Sequence, residues 1–151
     1  MLNYIITNKI NEKDLKIFQE FVSLLKVENA DKILENNLCI ILFFEKENDF
    51  YAITTLSKPI CGTSNINNLL FTNTKNSKSI TFSILQTIQI GLFRLKMCKI
   101  NLTLPKKQTP IIQHCNMLGF KAKELGEEYK LQIETLSHYA RNLIEKYNLK
   151  C

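Results

Sequence analysis

The chain has 151 residues, of which 45% are hydrophobic and 23% charged, and its net charge is +6. This composition is typical of a globular protein with a buried core, and the longest apolar run, residues 38–44, is far shorter than the roughly 20 residues of a membrane helix. The five cysteines are odd in number and scattered, which argues against a disulfide framework or a metal site. With no signal-peptide pattern at the start, these features predict a cytoplasmic, single-domain protein without a membrane partner.

The first half of the chain predicts three strands and two helices. Asn11, followed by two acidic residues, is a suitable cap for a helix whose apolar residues recur at helical spacing. Residues 46–49 form a polar turn of hairpin length between two apolar runs. The predicted elements are a strand at 4–7, a helix opening at 11–14, a shorter helix at 30–35, and strands at 38–45 and 50–56.

The second half contains the most informative segment of the chain. An apolar strand at 65–72 is followed by a polar loop at 73–79 and an amphipathic helix at 80–96. A loop that leads into a helix offers unpaired backbone N–H groups and a positive dipole end to an anion. The remaining predicted elements are a strand at 99–104, a helix led by Pro110 and ending at Leu118-Gly119-Phe120, a hairpin of 120–125 and 129–135, and an extra helix at 138–149 that docks on the sheet or on a partner.

The positive charge is concentrated in the middle of the chain. Between Tyr51 and Lys123 there are ten Lys or Arg residues and no Asp or Glu. A basic middle within a slightly acidic remainder indicates one site for an anionic ligand, whereas a uniformly basic surface would indicate a nucleic-acid binder. The alternative is a solvated surface that lacks acids by chance.

Two motifs carry a resemblance to a known family. Aligned on its apolar neighbours, the first is Asn76-Ser77-Lys78-Ser79-Ile80-Thr81, and the second is the helix at 109–120 that ends in Gly119-Phe120. Their order and spacing resemble the GCN5-related N-acetyltransferases (GNATs). In that family the first motif carries glycines, which let the backbone approach a pyrophosphate closely, and here Ser79 and Thr81 stand at those positions.

The resemblance implies the fold, the cofactor and the reaction. The fold would be α/β, with a single mixed, mostly antiparallel sheet flanked by helices, in one GNAT-like domain with a core of about 1–135. The cofactor would be acetyl-CoA or another acyl-CoA, whose acyl group is transferred to an unidentified amine by direct attack. The implied cofactor-binding residues are Leu69, Leu70, Phe71, Thr72, Asn76, Ser77, Lys78, Ser79, Ile80, Thr81 and Gln108.

The implied proton donor is altered in this sequence. The position that the family usually gives to Tyr, the general acid for the leaving thiolate, is Cys115, and His114 is the neighbouring substitute. The alternatives are a buried core cysteine and a surface or partly buried histidine. Glu45, Glu47 and Asp49, in the first hairpin, are interpreted as a solvated turn, so no general base is evident.

Three functions follow from this interpretation. The first is an N-acetyltransferase, and the second is a catalytically impaired GNAT-fold protein that binds acyl-CoA or a protein partner. The third is a small basic GNAT that acts on RNA or aminoacyl-tRNA, which is disfavoured because aromatic residues are not interleaved with the lysines. Acceptor pockets in this fold come mainly from the first helices and hairpin loops, where residues 29–37 and 58–65 carry no specificity signal. The amphipathic C-terminal segment would also suit a homodimer.

Overall fold

The computed structural model describes residues 2–7, by their backbone alone, and residues 11–72 and 75–149. This part of the chain contains eight strands and five α-helices. In chain order the elements are β1 (Leu2–Thr7), α1 (Glu12–Leu25), α2 (Ala30–Asn36), β2 (Cys39–Glu45), β3 (Phe50–Leu56), β4 (Thr63–Asn65), β5 (Leu69–Phe71), α3 (Ser77–Gln89), β6 (Lys99–Pro105), α4 (Thr109–Leu118), β7 (Lys121–Leu125), β8 (Glu128–Ile133) and α5 (His138–Lys146).

The first of two compact units is formed within Met1–Lys58 and Ile66–Ser83. Its sheet has the order β1-β2-β3-β5, with every neighbouring pair antiparallel. The aliphatic and aromatic residues of β2 and β3 are almost all buried, which explains why both strands have nearly continuous apolar sequences.

Helix α1 forms where the sequence predicts it. The Asn11 side chain accepts a 2.8 Å hydrogen bond from the backbone N–H of Asp14 and so caps the first turn. Phe18 and Phe21 face the sheet and are buried, and the Phe21 ring makes edge contacts with neighbouring aromatic rings. The helix ends at Lys26, whose left-handed backbone (φ 52°) terminates it.

The second unit is formed within Pro59–Asn65 and Ile84–Cys151. Its sheet has the order β4-β6-β8-β7, in which β4 runs parallel to β6 and the other pairs are antiparallel. The helical chain after α3 continues as a wider turn, Ile90–Arg94, with hydrogen bonds spaced by five residues. The predicted hairpin is confirmed as β7 and β8, joined at Gly126.

The Gly-Phe ending of α4 is confirmed as a helix terminus. Gly119 has φ 121°, and the N–H groups of Gly119 and Phe120 donate to the carbonyls of Asn116 and Cys115. Helix α5 is also present, capped by Ser137, whose side chain accepts from the N–H of Ala140 at 3.1 Å. Helix α5 contacts α4, within the same unit.

The α/β class, the mostly antiparallel pairing and the flanking helices are confirmed, whereas the strands lie in two four-stranded sheets where one was expected. The predicted strand at 65–72 is wrong as a continuous strand. It is divided into β4 and β5 by Ile66, Asn67 and Asn68, because β4 pairs with β6 and β5 pairs with β3. Within the described ranges, no helix is long and apolar enough to cross a membrane.

Candidate functional site

Strand β5 is the edge strand of its sheet and pairs with β3 on one side. Thr55 donates its backbone N–H to Asn68, and Thr72 donates its N–H to Tyr51. Because the direction of the backbone groups alternates along an antiparallel strand, Leu70 faces β3 while Leu69 and Phe71 direct their N–H and C=O groups to the open edge. The β5 edge therefore offers hydrogen bonds to an extended amide-containing ligand.

The end of β5 is held firmly. The Phe71 ring stacks on the Phe50 ring at a centroid distance of 6.1 Å. The Thr72 hydroxyl accepts from the N–H of Tyr51 at 2.8 Å and lies 3.2 Å from the carbonyl of Asp49. Thr72, predicted to bind the cofactor, thus uses its hydroxyl to fix the strand, and Phe71 is positioned at the open edge with little freedom.

The predicted phosphate loop is helical in the structure. Helix α3 begins at Ser77, three residues earlier than expected, so Ser77 to Thr81 form its first turn and not a loop; of the predicted loop, residues 73–74 lie outside the described residues. The helix starts early because Asn76 caps it: the Asn76 side chain accepts from the N–H of Ser79 at 3.2 Å, and its carbonyl accepts from Ile80. Asn76, predicted to bind the cofactor, is here a helix cap.

Glu45 contributes a carboxylate to this helix start. The Ser79 hydroxyl, predicted to bind a phosphate, donates a 2.7 Å hydrogen bond to the Glu45 Oε2 atom, and Asn48 donates to the Oε1 atom at 2.6 Å. A carboxylate beside the first turn of a helix is stabilised by the helix dipole. Glu45 is partly buried at the end of β2, whereas Glu47 and Asp49, which share the solvated-turn interpretation, are exposed. The Glu45 carboxylate thus accepts a hydrogen bond at the helix start, as the phosphate of a ligand would.

The charge near the start of α3 is mixed. Lys78, in the first turn, is exposed, and its Nζ atom lies 5.5 Å from the centroid of the Phe82 ring, four residues further along the helix. Ile80 and the residues that follow are buried, which fixes the helix against the core. The first turn therefore presents one exposed lysine, a capped backbone and the Glu45 carboxylate. An anionic ligand is attracted by the lysine and repelled by Glu45.

A cavity of about 730 Å³ lies beside β5 in the same unit. It is lined by the end of α1, the α1–α2 connection, α2 and the residues around the start of β5. We call it the asparagine cavity, because five asparagines line it: Asn29, Asn36, Asn37, Asn67 and Asn68. Its volume is that of a pocket for a small metabolite.

Helix α4 carries the predicted proton donors, in the second unit. Cys115 has no exposed surface, and burial raises the pKa of its thiol to about 12. His114 is partly buried, and desolvation lowers the pKa of its imidazole below the ordinary value. At neutral pH the thiol is protonated and the imidazole is uncharged. Gln108 lies at the N-terminal cap position of α4, where its side chain makes no capping hydrogen bond.

The structure resembles solved acetyltransferase structures, although no protein-family model and no curated protein matches the sequence. The Campylobacter jejuni N-acetyltransferase PseH has a TM-score of 0.63 at 11% identity, with 89% of this chain and 99% of that chain covered. A chimera of Vibrio cholerae spermidine N-acetyltransferase SpeG and hSSAT has a TM-score of 0.64 at 10% identity, with coverages of 95% and 99%. A GNAT family acetyltransferase from Elizabethkingia anophelis with acetyl-CoA bound has a TM-score of 0.61 at 11% identity, with coverages of 89% and 97%.

The chain has the GNAT fold. The predicted cofactor-binding residues fall into two groups, one in each unit. Those of β5 and the start of α3 lie in the first unit, and Gln108 lies in the second with His114 and Cys115. Their roles in binding and catalysis stay predictions.

Sequence reasoning missed two features of the site. Glu45 and Ser79 are 34 residues apart, and no local pattern links a hairpin glutamate to a helix start. The asparagine cavity had a weak signal, the density of asparagine in residues 29–37 and 65–68, which gives no indication that these residues line one space. Among the described residues, no group of three or more His, Cys, Asp or Glu side chains is arranged to hold a metal ion.

Proposed function

We propose that this protein is an N-acetyltransferase that uses acetyl-CoA and binds it along the edge of β5 and at the start of α3. The observation that carries the proposal is the open edge of β5, which is followed after a short connection by the basic first turn of α3, in a chain with the GNAT fold. The edge fits the amides of pantetheine, and a helix start with a lysine fits a pyrophosphate.

The site has one feature that competes with such a ligand, and it lies at Ser79. Glu45 and Asn76 occupy the hydroxyl and the N–H of Ser79, which are groups that a phosphate would use. Ser79 itself is buried, whereas Glu45 and Asn76 are partly exposed, and each of the two hydrogen bonds is worth about 1 kcal/mol net and about twice that where one partner is charged. We infer that these side chains rotate away when the pyrophosphate binds, at a cost in affinity.

The protein would catalyse the transfer mainly by positioning the thioester and the amine. Bound acetyl-CoA would supply a thioester whose acyl carbon forms a bond with the amine nitrogen, while the C–S bond breaks and the amine proton is transferred to the leaving CoA thiolate, which becomes the thiol. The N–H of Phe71, held at the open edge by the stacking on Phe50, would donate to the acyl oxygen and stabilise its developing charge. This role needs no side-chain nucleophile, so the substituted motif positions do not prevent it.

Proton transfer to the leaving thiolate falls to His114, to Cys115 or to solvent. A thiol with a pKa of about 12 is a weak acid beside a thiolate whose ordinary pKa is about 8.5, so transfer from Cys115 is uphill. The imidazole of His114 is uncharged at neutral pH, so it can accept the proton of the amine and pass it to the thiolate. We therefore propose His114 before Cys115 as the proton-transferring residue.

A second function is supported by one observation. The Glu45 carboxylate on Ser79 is what a GNAT-fold protein with weakened cofactor affinity would show. Such a protein would bind acyl-CoA or a protein partner without turnover. Assaying acetyl transfer to a panel of amines separates the two functions, because only the first predicts acetylated products.

Charge reversal in the first turn of α3 tests the binding site. Lys78→Glu should weaken acetyl-CoA binding about tenfold or more in calorimetric titration, because an attractive charge beside the pyrophosphate becomes a repulsive one. Lys13→Glu is a matched control, because Lys13 is also an exposed lysine at the second residue after an asparagine cap. Equal affinity of the two variants would reject the site.

The cellular setting is a further part of the proposal. Cys39, Cys61, Cys98 and Cys115 are free thiols. Free thiols are typical of a reducing compartment, which supports a cytoplasmic location. Homodimer formation through α5 stays a prediction, and sedimentation analysis of the purified protein would test it.

A further inference from the structure

The asparagine cavity contains amides with fixed orientation. The Nδ2 group of Asn37 donates to the carbonyl of Ile33 at 2.9 Å, and its Oδ1 atom accepts from the Nδ2 group of Asn67 at 3.0 Å. The Oδ1 atom of Asn68 accepts from the hydroxyl of Thr55 at 2.9 Å. Asn37 is 7% exposed, so this network is anchored in the interior of the unit.

These bonds determine what the cavity can offer to a ligand. With its Nδ2 group used by Asn37, Asn67 has its Oδ1 acceptor left, and with its Oδ1 atom used by Thr55, Asn68 has its Nδ2 donor left. Within residues 11–72 and 75–149 neither of these two groups has a hydrogen-bond partner. Asn67 and Asn68, which line the cavity, thus keep one acceptor and one donor for a ligand, on side chains already held by hydrogen bonds before the ligand arrives.

The charges around the cavity exclude one class of amine. The charged residues that line it are Lys26, Glu28 and Lys32, which sum to one positive charge. A polyamine brings several positive charges and needs several carboxylates to replace its water. This cavity has one carboxylate for two lysines, so it repels a polyamine and accepts a neutral or anionic ligand.

The cavity also meets the proposed acyl site. Leu70 lines it and belongs to β5, the strand whose open edge we propose for pantetheine. A ligand in the cavity would therefore reach the strand that carries Phe71.

We propose that the asparagine cavity binds the acceptor, and that the acceptor is an amine whose other polar groups are hydroxyls and carbonyls and whose charge away from the amine is neutral or negative. This inference rests on the proposed function. In the transfer a C–N bond forms between the amine and the acyl carbon, the C–S bond breaks, and the proton lost by the amine ends on the CoA thiol. Asn68 donates to a hydroxyl or carbonyl oxygen of the acceptor, and Asn67 accepts from a hydroxyl or amide.

Product analysis by mass spectrometry with three amines tests the inference. The probes are glucosamine as an amino sugar, alaninamide as an amino-acid amide, and spermidine as a polyamine, each with acetyl-CoA and the full chain. We expect acetylation of glucosamine or alaninamide. A preference for glucosamine would indicate an acceptor with hydroxyl groups, and a preference for alaninamide an acceptor with a carbonyl group. Preferential acetylation of spermidine would overturn the inference.

Two variants address the named residues. Asn68→Asp keeps an acceptor for Thr55 but removes the donor, so KM for the preferred amine should rise about tenfold while the affinity for acetyl-CoA changes less than about twofold. Asn142→Asp, with the same charge change on the exposed surface of α5, should leave both constants unchanged. Lys32→Glu, at an exposed position of α2, should shift selectivity several-fold toward spermidine and serves if the first variant fails to fold. Unchanged KM and selectivity in both variants would overturn the inference.

Failure of the proposed function gives a different pattern. If acetyl-CoA does not bind by calorimetry, the cavity is still tested by adding each amine to the isotopically labelled protein and following the side-chain amide of Asn68 by NMR. Saturable shifts with glucosamine or alaninamide, weaker with spermidine, would support the cavity as a binding site, and no shift with any of the three would refute it.

Discussion

Replacing Glu45 by glutamine should strengthen binding of acetyl-CoA. The Ser79 hydroxyl lies 2.7 Å from the Glu45 carboxylate, so a Glu45 side chain that is displaced from this hydroxyl still lies beside the phosphate, at about 4 Å or more. At about 4 Å two unit negative charges repel by about 1 kcal/mol in water and by about 4 kcal/mol at an effective dielectric constant of about 20. Because Glu45 is only partly buried, we take about 1–2 kcal/mol, which is about a 5- to 30-fold gain in affinity.

Glu45→Gln is a suitable substitution because it removes the charge and keeps an oxygen that accepts from Ser79. Glu47→Gln is the matched control: it makes the same charge change two residues away, at an exposed position of the turn between β2 and β3. Calorimetric titration of the wild type and both variants with acetyl-CoA gives the comparison. Equal affinity of all three proteins, or weaker binding by Glu45→Gln, would refute the competition between Glu45 and the pyrophosphate.

Two further predictions concern stability. Desolvation lowers the pKa of His114 below 6.5 in the folded state, so the unfolded state binds more protons as the pH falls through 6.5, and stability decreases from about pH 7 to about pH 5. Urea unfolding of His114→Gln should show a smaller decrease than the wild type over this range, and an identical decrease would contradict the assignment. At Gly119 (φ 121°) an added Cβ atom would lie 2.8 Å from the backbone at Thr135 and Ser137, so Gly119→Ala should lower the unfolding free energy by about 3 kcal/mol or more. Gly126→Ala (φ 60°, no atom within 4 Å) should cost only about 1–2 kcal/mol, and equal losses would show that the close backbone approach at Gly119 is unimportant.

Local chemistry made much of the fold predictable. Asn11 caps α1 through a bond to a residue three positions away, and Gly119 ends α4 through a backbone conformation that its sequence context indicates. Such signals act within one turn of helix, so a single sequence contains them. The same holds for the hairpins, because their strands are joined by short polar turns.

The features that could not be predicted depend on contacts between residues far apart in the sequence. The break in the predicted strand at 65–72 arises because β4 and β5 have partners in different sheets, and nothing in an apolar run specifies its partner. The contacts of Ser79 with Glu45 and of Asn67 with Asn37 join residues 34 and 30 positions apart. The sequence suggested the kind of ligand, through the lysines and the helix start, but not that the protein's own carboxylate lies there.

The most direct test of the account is to add acetyl-CoA to the isotopically labelled protein and to map the backbone amides that shift in NMR spectra. The account predicts saturable shifts concentrated at Leu69–Phe71 and in the first turn of α3, with the largest change at Ser79 as Glu45 is displaced. Saturable shifts confined to other parts of the chain, or no shifts at millimolar acetyl-CoA in either the wild type or Glu45→Gln, would contradict it.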